Sequence, residues 1–212
     1  MRYFDISPKI SHQIAVYPGD VPFSREVGMA FEKGDNLLLS SIRTTLHLGS
    51  HADAPNHYHA RGTDIASRSL DYYLGRCQVV RVRPKSGQRL YPEDLKGIPI
   101  LEKRILFHTG SFPDPDRWRG GFHALSPQLI EDLADRGAVL VGIDTPSVDP
   151  ETSKALESHQ AIYRRDLAIL EGLVLDRVPE GCYILIALPL KIEGADASPV
   201  RAVLLPTDCT FE

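Results

Sequence analysis

The sequence predicts a mixed α/β fold in which a partly closed, mixed sheet carries few flanking helices. Three observations lead there. Short apolar runs of strand length recur along the chain, and one segment carries a full set of helix signals. The first half is dominated by strand and loop signals, so the regular alternation of a doubly wound fold is missing.

The elements follow in order. The opening residues read as extended chain and turns: Pro8, then Gln13-Ile14-Ala15-Val16, then Tyr17-Pro18-Gly19-Asp20 with Pro and Gly at the centre of a turn. Residues 37–46 are rich in apolar and β-branched side chains and predict a strand that delivers the chain into a histidine-dense stretch. The runs 78–82, 104–107, 138–143 and 183–188 have the length and composition of buried core strands. The helix is Ser126 to Arg136: Ser126 caps it, Pro127 suits its first turn, Leu129, Ile130 and Leu133 share a face, and Gly137 stops it. Residues 111–123 form a Pro- and Gly-rich loop carrying the only Trp, Trp118. That loop reads equally as a lid or as an exposed connection anchored by its Trp.

With 212 residues and no linker-like or low-complexity tract, the expectation is a single domain over 1–212. An apolar fraction of 42% and a charged fraction of 25% fit a soluble globular chain. A formal charge of -4 with scattered Lys and Arg argues against a nucleic-acid partner. Neither the start of the chain nor any apolar run, measured against the roughly 18 residues a span needs, supports export or a membrane partner. Cys77, Cys182 and Cys209 are odd in number and widely spaced, which argues against a disulfide framework and for a cytoplasmic setting.

The chemistry concentrates in residues 47–59, which hold four of the eight histidines beside Asp53. Imidazole and carboxylate are the ligands of zinc and related ions, and neutral imidazole also moves protons near neutral pH. Gly49 and Pro55 rule against one continuous helix here, so the relevant period is two: His47, His51, Asp53 and His57 occupy odd positions. A straight strand would still separate His47 from His51 by about 13 Å, so ligation of one ion by both requires a bend, which Gly49-Ser50 permits. Farther along, His159 and Glu171 are candidates for completing such a site. Glu171 interrupts an apolar neighbourhood and needs a partner, either a bound cation or an Arg such as Arg164 or Arg165.

The pattern His47-x-Gly49-Ser50-His51-x-Asp53-x-Pro55-x-His57 resembles the signature of the cyclase family of metal-dependent hydrolases. Asp5-Ile6-Ser7-Pro8, Tyr17-Pro18-Gly19-Asp20, residues 142–147, Leu170-Glu171-Gly172-Leu173 and residues 196–201 extend the resemblance toward the bacterial kynurenine formamidases of that family. It implies a swivelling β/β/α fold, a homodimer, and two zinc ions per subunit, with manganese or another divalent ion as alternatives. His47, His51, Asp53 and Glu171 are implied to hold one ion and Asp53, His159 and Glu171 the other, the two carboxylates bridging. Tyr17, where these enzymes typically carry Trp, is implied to contact substrate, and Ser50 stands for the usual Thr. The implied activity is hydrolysis of the formamide bond of N-formyl-L-kynurenine to L-kynurenine and formate in tryptophan degradation, by metal-activated water with His57 as general acid and base. The alternatives are a family hydrolase acting on a cyclic amide such as isatin, and a metal-binding protein without catalysis. His59 and His123 read as peripheral, and His12 and His108 as structural.

Overall fold

The computed structural model describes residues 3–84 and 88–208; Met1, Arg2 and Cys209, used above, lie outside the described residues. Strands β1 (Phe4–Asp5), β2 (Ser24–Met29), β3 (Leu39–Arg43) and β4 (His51–Asp53) precede a one-turn helix α1 (Pro55–Tyr58). Next come β5 (Leu74–Arg81), β6 (Arg89–Leu90), β7 (Arg104–His108), β8 (Ala124–Leu125), α2 (Pro127–Asp135) and β9 (Leu140–Ile143). The remainder is α3 (Glu157–Arg165), β10 (Ala168–Leu170), β11 (Gly181–Ile186), β12 (Ala197–Pro199) and β13 (Val203–Pro206).

Seven strands form one mixed sheet in the order β1-β13-β11-β5-β7-β9-β10. Neighbours from β5 to β10 run parallel, and β11, β13 and β1 add antiparallel. The sheet curls. Val174, just beyond the last strand, donates its N–H to the carbonyl of Ile6, just beyond the first. The partly closed mixed sheet expected from the sequence is thus present, and so is the scarcity of helices.

Side chains on the central strands alternate between two apolar layers, which is why those strands read as near-continuous apolar runs. Val80, Ile105, Phe107, Val141 and Ile143 pack against Leu129, Ile130 and Leu133 of α2 and Ala161 and Ile162 of α3. On the inner face, Cys77, Val79, Leu106 and Leu140 meet Ile6, Tyr73, Leu173 and Leu204. Each such fully buried side chain contributes roughly 1.5–3 kcal/mol through removal from water. The expected cap of α2 is present, Ser126 Oγ accepting from the Leu129 N–H at 3.1 Å.

Two expectations need revision. The strand expected across residues 37–46 is shorter, Leu39–Arg43, and pairs only with β2 in a separate ribbon whose Leu39 and Ile42 are exposed. It does not run on into His47; the histidine-bearing strand is the separate three-residue β4, paired with β12. Helix α3, which carries His159, lacks the signals that mark α2: Leu156 precedes it in a left-handed conformation and supplies no side-chain cap.

Candidate active site

The inner edge of β4 and the residues after β10 meet through a two-way backbone bridge, His51 N–H to Glu171 O at 3.1 Å and Glu171 N–H to His51 O at 3.0 Å. That bridge brings two residues 120 positions apart into one site. The bend required between His47 and His51 occurs at Gly49, whose φ of 56° is open to glycine at little cost. It leaves the two imidazole centroids 5.1 Å apart. Gly172 makes the other close approach: with φ of 65°, a Cβ there would lie 2.2 Å from the Gly49 carbonyl oxygen.

His47, His51, Asp53, His159 and Glu171 converge, and all but His47 are buried. The two carboxylates each divide their oxygens. Asp53 turns Oδ1 to His47 Nδ1 at 2.9 Å and His51 Nε2 at 3.4 Å, and Oδ2 to His159 Nε2 at 3.4 Å. Glu171 sets Oε2 3.2 Å from His51 Nε2 and Oε1 3.7 Å from His159 Nε2. The Arg alternative for Glu171 fails: Arg164 bonds Glu131, and Arg165 bonds Glu131 and Asp135.

Does this donor set fit a divalent ion? His51 Nε2 and both Asp53 carboxylate oxygens are buried and, despite their closeness to neighbours, lack an aligned hydrogen bond. Such atoms are costly unless something charged pairs with them. His51 Nδ1 lies 2.9 Å from the Gly49 carbonyl, which only accepts, so Nδ1 carries the proton and Nε2 offers a lone pair. His159 Nδ1 lies 2.7 Å from Asp149 Oδ2 and His47 Nε2 lies 3.1 Å from Asp196 Oδ2, so each of these imidazoles turns its other nitrogen inward. A carboxylate or carbonyl behind each ligating imidazole is the usual support of a metal site. Among the described residues three groups could each hold an ion: His47 with His51 and Asp53, Asp53 with His159 and Glu171, and the more exposed His47 with His57 and Asp196; Asp53 belongs to the first two. The residues fit one or two divalent ions.

The charge balance agrees. Burial alone would lower the His47 and His159 pKa values. The negative charge of Asp53 close to both imidazoles, with Asp196 bonded to His47 and Asp149 to His159, overcomes this and lifts each to about 10. Asp53 is held well below the carboxylate range by His47, His159 and His51, although burial opposes it. A cation replaces those protons without leaving the carboxylates unpaired.

These groups floor a cavity of about 260 Å³, walled by Tyr17, Phe112 and Trp118. The 111–123 loop is therefore part of the site wall. Trp118 stacks edge-on to Tyr17 at 5.1 Å, and both rings are tethered to Glu151, through Tyr17 Oη to its carbonyl and Trp118 Nε1 to its carboxylate. His57, on α1, faces the same cavity with its side chain 33% exposed, its centroid 4.2 Å from that of His47. Burial holds the His57 pKa below its ordinary value. His59 lies outside, stacked on Tyr163 at 3.7 Å.

Sequence reasoning missed Asp149 and Asp196. Asp196 heads the 196–201 segment that carries part of the family resemblance, and Asp149 follows residues 142–147; no local pattern linked either to a distant histidine.

The family model for the putative cyclases matches residues 4–150. The chain belongs to the cyclase family. The kynurenine formamidase of Bordetella petrii is 44% identical over 204 residues, covering 96% of this chain and 97% of that protein. The kynurenine formamidase of Paracidovorax citrulli is 44% identical over 205 residues, 95% of each. Among solved cyclase-like structures, a potential metal-dependent hydrolase with cyclase activity superposes with a TM-score of 0.82 at 27% identity over 96% of both chains. Isatin hydrolase A from Labrenzia aggregata shares the fold, with a TM-score of 0.81 at 23% identity over 98% of this chain and 94% of that one.

Proposed function

We propose that this cyclase-family chain is a metal-dependent amidohydrolase that converts N-formyl-L-kynurenine and water to L-kynurenine and formate, a step of tryptophan degradation. The observation that carries the hydrolase reading is the buried floor of the cavity, where Asp53 and Glu171 each turn one oxygen toward His51 and the other toward His159. The choice of substrate rests on full-length similarity to kynurenine formamidases.

In this reading His47, His51, Asp53 and Glu171 hold one zinc ion and Asp53, His159 and Glu171 a second; manganese suits the same donors. Bound divalent ions supply an acidified water and polarisation of the formyl carbonyl. The chain supplies the rest. Tyr17, Phe112 and Trp118 present ring faces and edges to the substrate's aromatic ring and keep bulk water from it. Gly49, Asp149 and Asp196 hold the imidazoles of His51, His159 and His47 in single orientations. His57, beside the floor and open to the cavity, accepts a proton as water adds to the carbonyl and delivers it to the aniline nitrogen as the C–N bond breaks.

A homodimer accompanies this reading. Leu39 and Ile42 on β3 and Phe31 and Leu38 in the connection from β2 are exposed apolar side chains that a second copy would cover, and sedimentation equilibrium measures it. The described thiols Cys77 and Cys182 are free, in keeping with action in the cytoplasm.

The test is a comparison of N-formylkynurenine and isatin as substrates of the purified protein. Rapid release of kynurenine with isatin untouched supports the proposal; ring opening of isatin with N-formylkynurenine untouched overturns it.

A further inference from the structure

Behind His159 stands a half-buried arginine. Arg89, on β6, is only 16% exposed in its side chain. Its Nη1 donates to Asp149 Oδ1 at 2.8 Å, to Ser158 Oγ at 2.7 Å and to the Leu125 carbonyl at 2.7 Å, and its Nη2 to Glu157 Oε2 at 2.8 Å. The backbone fixes it there. Ala124 N–H bonds the Gln88 carbonyl, Ser126 N–H bonds Leu90, and Leu125 N–H bonds Val148, so residues 88–90, 124–126 and 148 form adjoining rungs that set Arg89 beside Asp149.

Asp149 has more to do than its place in a loop suggests. It is buried, accepts from the backbone N–H groups of Ser158 and His159 at 3.1 Å, and meets His159 Nδ1 at 2.7 Å. One carboxylate therefore both caps the first turn of α3 and selects which nitrogen of His159 carries the proton. Its oxygens are divided: Oδ2 faces the imidazole and Oδ1 faces the guanidinium. A buried carboxylate oxygen needs a compensating positive charge beside it, and Oδ1 has the guanidinium at 2.8 Å. The planar guanidinium supplies that charge in a fixed orientation, which a flexible ammonium does not match.

We infer that Arg89 is a positioning residue for the His159 half of the centre: it fixes the orientation of the Asp149 carboxylate, and through it presents His159 Nε2 toward Asp53 Oδ2 and Glu171 Oε1. This rests on the two-ion reading above. The His47–His51 half is supported separately, by Asp196 and the Gly49 carbonyl, and does not pass through Arg89. The two halves should therefore respond differently to its removal.

The experiment is a titration of metal-free protein with Co²⁺, followed by the visible spectrum and by metal content after dialysis, for wild type, Arg89→Met and Arg89→Lys. Wild type takes up two ions per chain. In Arg89→Met the first ion binds as in wild type and the second is weakened about 10–100-fold, the usual loss when an outer partner of a ligand is removed. Arg89→Lys, which keeps the charge and loses the fork, lies between them and serves as the deciding variant should the Met form not fold. An unchanged second affinity in either folded variant overturns the proposal. So does equal weakening of both ions with a matching fall in the thermal stability of the metal-free protein, which marks a purely structural role. A wild-type protein that binds a single ion overturns the two-ion reading itself, and the Arg89 proposal with it.

Discussion

His57 Nδ1 lies 3.6 Å from Asp196 Oδ2. The same oxygen lies 3.1 Å from His47 Nε2, so one carboxylate bonds the inward-facing His47 and lies beside the imidazole that remains open to the cavity. His57→Asn is expected to lower turnover by about 10²–10⁴-fold, the range for loss of a general acid or base, with metal content unchanged. Loss of an ion in that variant would make His57 a ligand instead. Asp196→Asn is expected to cost less, about 10–100-fold, and to weaken metal retention through His47. Steady-state kinetics paired with elemental analysis reads both.

Metal removal should change the pH dependence of stability. In the metal-free protein His47 and His159 have pKa values raised from 6.5 to about 10. A raised histidine pKa contributes stability that is fully present below about 6.5 and is lost as pH rises through about 10. The metal-free protein is therefore expected to melt at progressively lower temperature from pH 7 to 10, and the metal-loaded protein to lack this component. Metal uptake near neutral pH should also release protons, which calorimetry in buffers of different ionisation enthalpy detects. A flat melting profile for the metal-free protein would contradict the charge balance described here.

Gly172→Ala tests the joint between the two halves of the site. The added Cβ would meet the Gly49 carbonyl oxygen at 2.2 Å in a backbone of φ 65°. Backbone strain alone costs about 1–3 kcal/mol, and separating the segments also disturbs the carbonyl that orients His51. Urea unfolding is expected to report reduced stability together with reduced metal content. Wild-type values for both would show that the close approach is not needed.

Tyr17 separates ring from hydroxyl. Tyr17→Phe removes only the bond to the Glu151 carbonyl and keeps the stack on Trp118, so KM is expected to stay within about threefold, in line with the modest net worth of one exposed hydrogen bond. Tyr17→Ala removes the face offered to the substrate ring and should raise KM by about 2- to 10-fold with little change in kcat, as expected for an aromatic contact of about 0.5–1.5 kcal/mol. An unchanged KM in Tyr17→Ala would remove Tyr17 from the substrate wall.

Local signals account for what was legible in the sequence. Ser126, Pro127 and Gly137 mark α2 because capping is a matter of a few adjacent residues; β7 and β9 and the second half of β5 stand out because burial on both faces leaves uniform apolar runs, while β11 buries only Tyr183 and Leu185. A bend at Gly49-Ser50 follows from distance once His47 and His51 share an ion, and it falls at Gly49. Helix α3 was not legible, because its cap is Asp149, eight residues upstream of Glu157, and its buried face includes Ser158 and His159. The Leu37–Leu39 run was legible as the start of a strand but not as exposed, since composition does not say which face a ribbon covers. Asp196 meets His47 across 149 positions and Arg89 meets Asp149 across 60, pairings fixed by topology, while Asp149 meets His159 through the turn that leads into α3.

Metal-dependent hydrolysis of a formamide at the floor built by His47, His51, Asp53, His159 and Glu171 is read out by the rate of kynurenine release from N-formylkynurenine by protein stripped of metal and then reconstituted with zinc. Negligible release by the stripped protein and recovery on reconstitution to a stoichiometry of two ions per chain are expected. Full activity in the stripped protein, or none after both ions are restored, would contradict it.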